Sequence, residues 1–119
     1  MLVAYTIGKY RDTRGEHYVE QHRRRAEGVA LELLRLGYAV ICPHRNTGGL
    51  DGAVLDDVFL EVGLRLLEVS QIAVTVPGWD NDSAGSVAEV EHAARNRIQL
   101  YHWPQDRERL AALAGATTI

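Results

Sequence analysis

One segment of the sequence joins an anion-binding pattern to a carboxylate: Ser83-Ala84-Gly85-Ser86-Val87-Ala88-Glu89. A serine followed by small residues and then an apolar periodic run marks a helix start. There the free backbone N–H groups and the positive end of the helix dipole attract an anion. Gly85 lets the backbone come close to that anion. Glu89 follows one turn further on, near the mouth of the same pocket. Ordinary helix starts use these residues too, with Ser as N-cap and Glu in the early turns. Spacing alone therefore leaves both readings open. A second cluster, Gly8-Lys9-Tyr10-Arg11, follows an apolar run directly. It lacks the spacing of a P-loop, and the chain holds no Gly-x-Gly-x-x-Gly fingerprint. It offers a tight turn with Lys9 and Arg11, cations suited to a phosphate or a carboxylate.

Other signals carry less. Glu89-x-x-His92 has the spacing used by di-iron helices, but such sites need a second pair and two further glutamates. His17, His22, His44, His92 and His102 lack zinc-ligand spacing, so no metal and no cofactor is expected. Only His44, just past a strand end, is placed near the ligand crevice, with Asn46 close behind it. Cys42 ends an apolar strand and is expected to pack rather than react. The run His22-Arg23-Arg24-Arg25 suits a solvated helix face or a subunit contact. Trp79 follows Pro77-Gly78 on a loop, where it can stack on a base or pack at a dimer contact.

The elements that would position these residues alternate along the chain. Leu2–Ile7, Tyr38–Cys42, Gln71–Val76 and Ile98–His102 form short apolar or β-branched runs, expected as strands. Helical spacing covers about Glu16–Leu36, Ala53–Val69, Ala84–Asn96 and Gln105–Ala114, with Gly37 a natural stop. Strand–helix alternation implies right-handed βαβ units. The expected fold is therefore a doubly wound, flavodoxin- or Rossmann-like three-layer α/β/α domain with a parallel sheet of four to five strands. Such sheets bind ligands outside the carboxyl ends of the strands, where strand order reverses. That gathers the loops Gly8–Gly15, Pro43–Gly52 (with the pair Gly48-Gly49), Pro77–Ser83 and the one after His102.

Bulk properties narrow the function. At 119 residues, 46% hydrophobic and 24% charged, the chain suits one globular domain. A net charge of −3 argues against a nucleic-acid polymer or an anionic membrane surface as partner. The apolar runs are strand-sized, too short to span a bilayer. A single cysteine and no export-type leader at Met1 point to the cytoplasm. So short a chain has little surplus to wall off a nucleotide, so a homodimer or higher homo-oligomer is expected to close the site.

Three loops in order, Tyr5-x-x-Gly8-x-x-Arg11, Cys42-Pro43-His44-x-Asn46-Thr47, and Pro77-Gly78-Trp79 with Ser83-x-Gly85-Ser86-x-x-Glu89, resemble the nucleoside 2-deoxyribosyltransferase superfamily, which also includes the 2'-deoxynucleoside 5'-phosphate N-hydrolases. The resemblance spans about residues 3 to 101. It implies cleavage or transfer at the N-glycosidic bond of a nucleoside or nucleotide, with Glu89 as nucleophile and Tyr5 beside it. It also implies that Gly8, Arg11, Ser83 and Gly85 hold a 5'-phosphate. Lys9, His44, Asn46, Trp79 and Ser86 complete the expected substrate contacts. The sequence departs from the pattern at Gly63, where the family carries an aspartate that helps protonate the leaving base. It also departs at Gln71, where another aspartate is usual, at Ile7, commonly alanine, and at Lys9, frequently proline. Asp57, Glu61, Asp80, Asp82 and Glu91 are the nearest acids in sequence to replace the missing one. The alternative is a catalytically impaired nucleotide-binding or sensor module on the same fold.

Overall fold

The first strand, β1 (Val3–Ile7), decides the architecture because its alternate residues feed two separate cores. Ala4 faces one core while Tyr5 and Ile7 face the other, the period-two consequence of a pleated strand covered on both sides. A computed structural model of the chain describes residues 1–46, 50 and 52–117. Thr47, the pair Gly48-Gly49 and Asp51 lie outside the described residues, as do positions 118 and 119.

After β1 come α1 (Glu16–Leu36), β2 (Ala39–Ile41), a one-turn α2 (Pro43–Asn46) and α3 (Asp56–Glu68). β3 (Ile72–Thr75), α4 (Ala84–Arg95), β4 (Gln99–His102) and α5 (Arg107–Thr117) complete the described chain. The four strands are all parallel in the order β2-β1-β3-β4. Strand order therefore reverses between β1 and β3, where Tyr5 pairs in register with Ala73 and Ile7 with Thr75.

One core packs Ala26, Val29 and Leu33 of α1 and Leu110 and Ala114 of α5 against Ala4, Ile72 and Val74. The other packs Leu67 of α3 and Ala93 of α4 against Tyr5, Ile7 and Ala73. These are the two helical layers expected from the alternating pattern. α1 has the bounds expected from its spacing, and it ends where Gly37 takes a left-handed conformation, φ 106°. The Gly37 and Tyr38 N–H groups then bond Leu34 O and Leu33 O, each at 3.1 Å, which satisfies carbonyls left over at the helix end.

Elsewhere the boundaries move. Residues 43–46, expected within a loop, form α2 because the N–H groups of Arg45 and Asn46 both bond Cys42 O, at 3.0 and 2.9 Å. Helix α3 starts three residues later than expected, because Ala53 N–H closes a turn on Leu50 O and Asp56 and Asp57 then supply acids to the first turn. Helix α5 starts at Arg107, behind Asp106, whose carboxylate accepts from His102 N–H at 2.7 Å.

The Tyr38 hydroxyl, fully inside the protein, donates to Leu110 O at 2.6 Å and ties the segment just before β2 to α5. Tyr38→Phe is expected to lower unfolding free energy by about 1 kcal/mol in urea titrations, the usual worth of a buried neutral hydrogen bond. No helix among the described residues is long and apolar enough to cross a membrane.

Candidate functional site

The reversal of strand order opens a cleft at the carboxyl ends of β1 and β3, as it does in doubly wound sheets generally. Its volume is about 720 Å³, enough for a nucleotide-sized molecule. The turn after β1 and the start of α4 supply most of its polar wall, and Pro43, His44, Asp56, Phe59, Leu60 and Gly63 come from α2 and α3.

Glu89, on the second turn of α4, meets Tyr5 from the middle of β1 across a sequence separation of 84 residues. The Tyr5 hydroxyl donates to Glu89 Oε2. Burial raises the Glu89 pKa to about 7, against a smaller lowering effect of the Tyr5 bond. The same burial, with the Glu89 charge beside it, raises the Tyr5 phenol well above its ordinary range, so it stays a donor. A carboxylate poised near neutrality can act in either protonation state. Tyr5→Phe is expected to push the Glu89 titration above 7, because the hydrogen bond that stabilises the anion is lost. The carboxyl signal of labelled Glu89, followed by NMR across pH 5 to about 9, checks this.

The start of α4 is built as its spacing suggested. Ser83 Oγ accepts from Ser86 N–H at 3.4 Å and lies 2.8 Å from Ser86 Oγ, while Ser86 is buried. The N–H groups of Ala84 and Gly85 belong to the first turn and have no acceptor within the helix. Gly8 fits the space left for it: a Cβ there would stand 3.0 Å from Val76 Cβ and 3.3 Å from His44 Cε1. A larger residue would push the β1 turn away from β3.

His44 is buried, and burial lowers its pKa, so its ring is neutral near pH 7. Its Nε2–H donates to Lys9 O at 2.9 Å, which pins the β1 turn. That leaves Nδ1 as a buried acceptor with no partner among the described residues. Such an atom costs free energy unless something donates to it.

The cleft brings together Tyr5, Gly8, Lys9, Arg11, His44, Ser83, Gly85, Ser86 and Glu89 from the expected set. Two expected residues fall outside it. Trp79 stacks on His102, ring centroids 5.9 Å apart and planes 23° from parallel, because its loop folds toward β4. Asn46 is exposed at the end of α2 and does not line the cleft. Arg11 lines it but is held in an ion pair with Asp56 at the start of α3. The Glu89-x-x-His92 pair is split, since His92 Nε2 bonds Glu68 at 2.8 Å.

Among the five acids considered, Asp82 alone lines the cleft. Glu61 pairs with Arg65. Asp12 and Asp56 also line the cleft, although neither stood out in the sequence. Asp12 bonds Arg14 and His22, and these bonds hold its carboxyl far below the usual range, so it remains ionised. An acid ahead of a run of basic residues was the available signal, but its bond to His22, ten residues on, was not visible. Gln71 lies at the amino end of β3, where its side chain accepts from Val3 N–H at 2.6 Å. It ties the amino ends of the two central strands and does not line the cleft.

Gly63 is the most informative departure. A Cβ at this position would lie 2.9 Å from the Tyr5 hydroxyl and 3.5 Å from Glu89 Oε2. The backbone of α3 thus packs directly against the Tyr5–Glu89 pair. Among the described residues no group of three or more His, Cys, Asp and Glu side chains could hold a metal ion.

Fold and cleft together define a class: a doubly wound parallel α/β protein with a poised carboxylate at its topological switch point. Neither a family model nor a curated protein matches the chain.

Proposed function

We propose that this protein binds a nucleoside or nucleotide in the cleft and cleaves or transfers its N-glycosidic bond through Glu89. The observation that carries this reading is the Tyr5–Glu89 pair, with the carboxyl poised at about 7 beside an N-terminal anion cradle. The ordered likeness of the three loops to the deoxyribosyltransferase superfamily points the same way.

Within this reading the ionised Glu89 attacks the anomeric carbon. The C1'–N bond breaks, a C1'–O ester to Glu89 forms, and the base leaves with a proton from an acid. Water or a second base then displaces Glu89. Of the lining acids, Asp12 is committed to Arg14 and His22, and Asp56 to Arg11. Asp82 has no ion pair among the described residues, and it is the residue assigned to protonate the base. Phosphate at the α4 start would meet the Ala84 and Gly85 N–H groups.

Gly63 favours a second reading, a binding or sensor module without turnover, because the position expected to carry the acid has no side chain. Base release from a panel of nucleosides and 5'-monophosphates decides between them. Turnover by the wild type supports the enzyme. Saturable binding by calorimetry without any release, even after long incubation, supports the sensor. Absence of both overturns the nucleotide reading. A homo-oligomer that closes the cleft remains part of the proposal, and sedimentation with and without nucleotide tests it.

A further inference from the structure

The three arginines of the run 23–25 do not share one fate. Arg23 and Arg24 both pair with Glu20, the latter at 3.3 Å. Arg25 instead places Nη1 3.1 Å from His22 Nδ1 and has no carboxylate partner among the described residues. An arginine only donates, so His22 Nδ1 accepts and its Nε2–H donates to Asp12 Oδ2, at 2.9 Å. The His22 ring thereby aims Arg25 and anchors Asp12 together.

Arg25 lines a second cavity of about 310 Å³, together with Lys9, Arg14, His22 and the turn Pro77, Gly78 and Asn81. Gly78 brings that turn in close, since a Cβ on it would stand 3.9 Å from Arg25 Nη1. Arg14 is neutralised by a two-point bond to Asp12, at 2.9 and 2.7 Å, and lies over the Tyr18 ring. Lys9, part-buried, and Arg25 have no such carboxylate among the described residues. The cavity thus presents two uncompensated cations in a chain whose net charge is −3. Lys9, Arg14 and Asn81 line both this cavity and the main cleft, so the two adjoin at these residues.

We propose that this cavity is a second anion subsite, and that the ligand of the cleft is a nucleotide carrying a pyrophosphate group rather than a nucleoside or a 5'-monophosphate. The inference rests on the nucleotide reading of the cleft and adds its substrate class. One phosphate sits at the start of α4, and the next crosses Asn81 to reach Lys9 and Arg25. A local pair of cations on an acidic chain suits a small polyanion, since a nucleic-acid polymer would need a longer basic track.

The test is calorimetric titration of the full chain with nucleoside 5'-monophosphates, the matching 5'-diphosphates, inorganic phosphate and inorganic pyrophosphate. Diphosphates are expected to bind about 10- to 100-fold more tightly than monophosphates, as charge-assisted contacts provide. Arg25→Gln should bring diphosphates to the monophosphate level and leave monophosphates unchanged, while Arg25→Lys keeps most of the preference. Should Arg25→Gln fail to fold, Lys9→Gln must reduce the preference in its place. Monophosphates that bind as well as diphosphates overturn the subsite and leave the nucleotide reading intact. If no nucleotide binds, that reading falls, and the phosphate and pyrophosphate titrations judge the cavity alone. Pyrophosphate no tighter than phosphate then overturns the subsite too.

Discussion

Replacing Glu89 by glutamine is expected to lower base release by about 10³-fold or more, and at the same time to make the chain more stable above pH 7. Both effects follow from one fact, a carboxyl whose pKa burial has raised from 4.5 to about 7. Glutamine keeps the shape and can still accept the Tyr5 hydrogen bond, but it cannot form the glycosyl ester. The sign of the stability change follows from proton binding. Folded Glu89 holds its proton more tightly than the unfolded chain does. Its contribution is complete below pH 4.5 and is lost as pH rises through about 7.

Above that range the wild type carries the cost of a desolvated charge that the variant lacks. At about 1.4 kcal/mol per pH unit this amounts to roughly 2–3 kcal/mol, read from urea unfolding at pH 5 and pH 8. Under the proposed function activity runs the other way: kcat/KM should rise with pH through about 7, as the proposed nucleophile ionises. Unchanged turnover in Glu89→Gln would sink the role given to this residue. Equal stability of the two proteins at pH 8 would show that the carboxylate is well solvated.

Introducing an aspartate at position 63 is expected to fail. The Cβ alone would stand 2.9 Å from a phenol oxygen that cannot retreat, since Tyr5 is fully buried between the sheet and the helices of its layer. Aspartate is only about 0.3 kcal/mol better than glycine within a helix, and the overpacking costs about 1–3. A carboxylate beside Glu89 adds like-charge repulsion and pushes the Glu89 pKa higher still. Gly63→Asp should therefore lose about 2–4 kcal/mol of stability and gain no base release. Gly63→Ala isolates the steric part, and combining it with Tyr5→Phe removes the obstructing oxygen. The two changes should be less costly together than their sum, a coupling that a double-mutant cycle measures. A stable Gly63→Asp chain with raised turnover would mean that the site accommodates the residue its pattern lacks.

Much of the site was legible because its pieces are local. Ser83, Gly85 and Ser86 build the start of α4 from neighbours within one turn, and a capping serine acts through those neighbours alone. Gly8 and Lys9 follow a strand that its apolar run announces. Asp12 and Asp56 were illegible because their meaning lies in partners at Arg14 and His22, and at Arg11, across turns of unknown course. The place of Trp79 outside the cleft was illegible for the same reason. Its loop was correctly placed at the carboxyl edge of β3, but a ring can turn toward β4 or toward the cleft, and only the stacking on His102 shows which.

The sequence by itself determined the alternation of strands and helices, the bounds of α1 and the identity of the helix start that carries Glu89. Those features depend on periodicity, on caps and on stop signals, which act over a few residues. The tertiary structure alone decided that β3 lies beside β1, so that the Tyr5 hydroxyl reaches Glu89 while the α3 backbone closes over both at Gly63. It also decided which arginine of the basic run turns to the second cavity. These are contacts between segments tens of residues apart, set by packing two layers on one sheet.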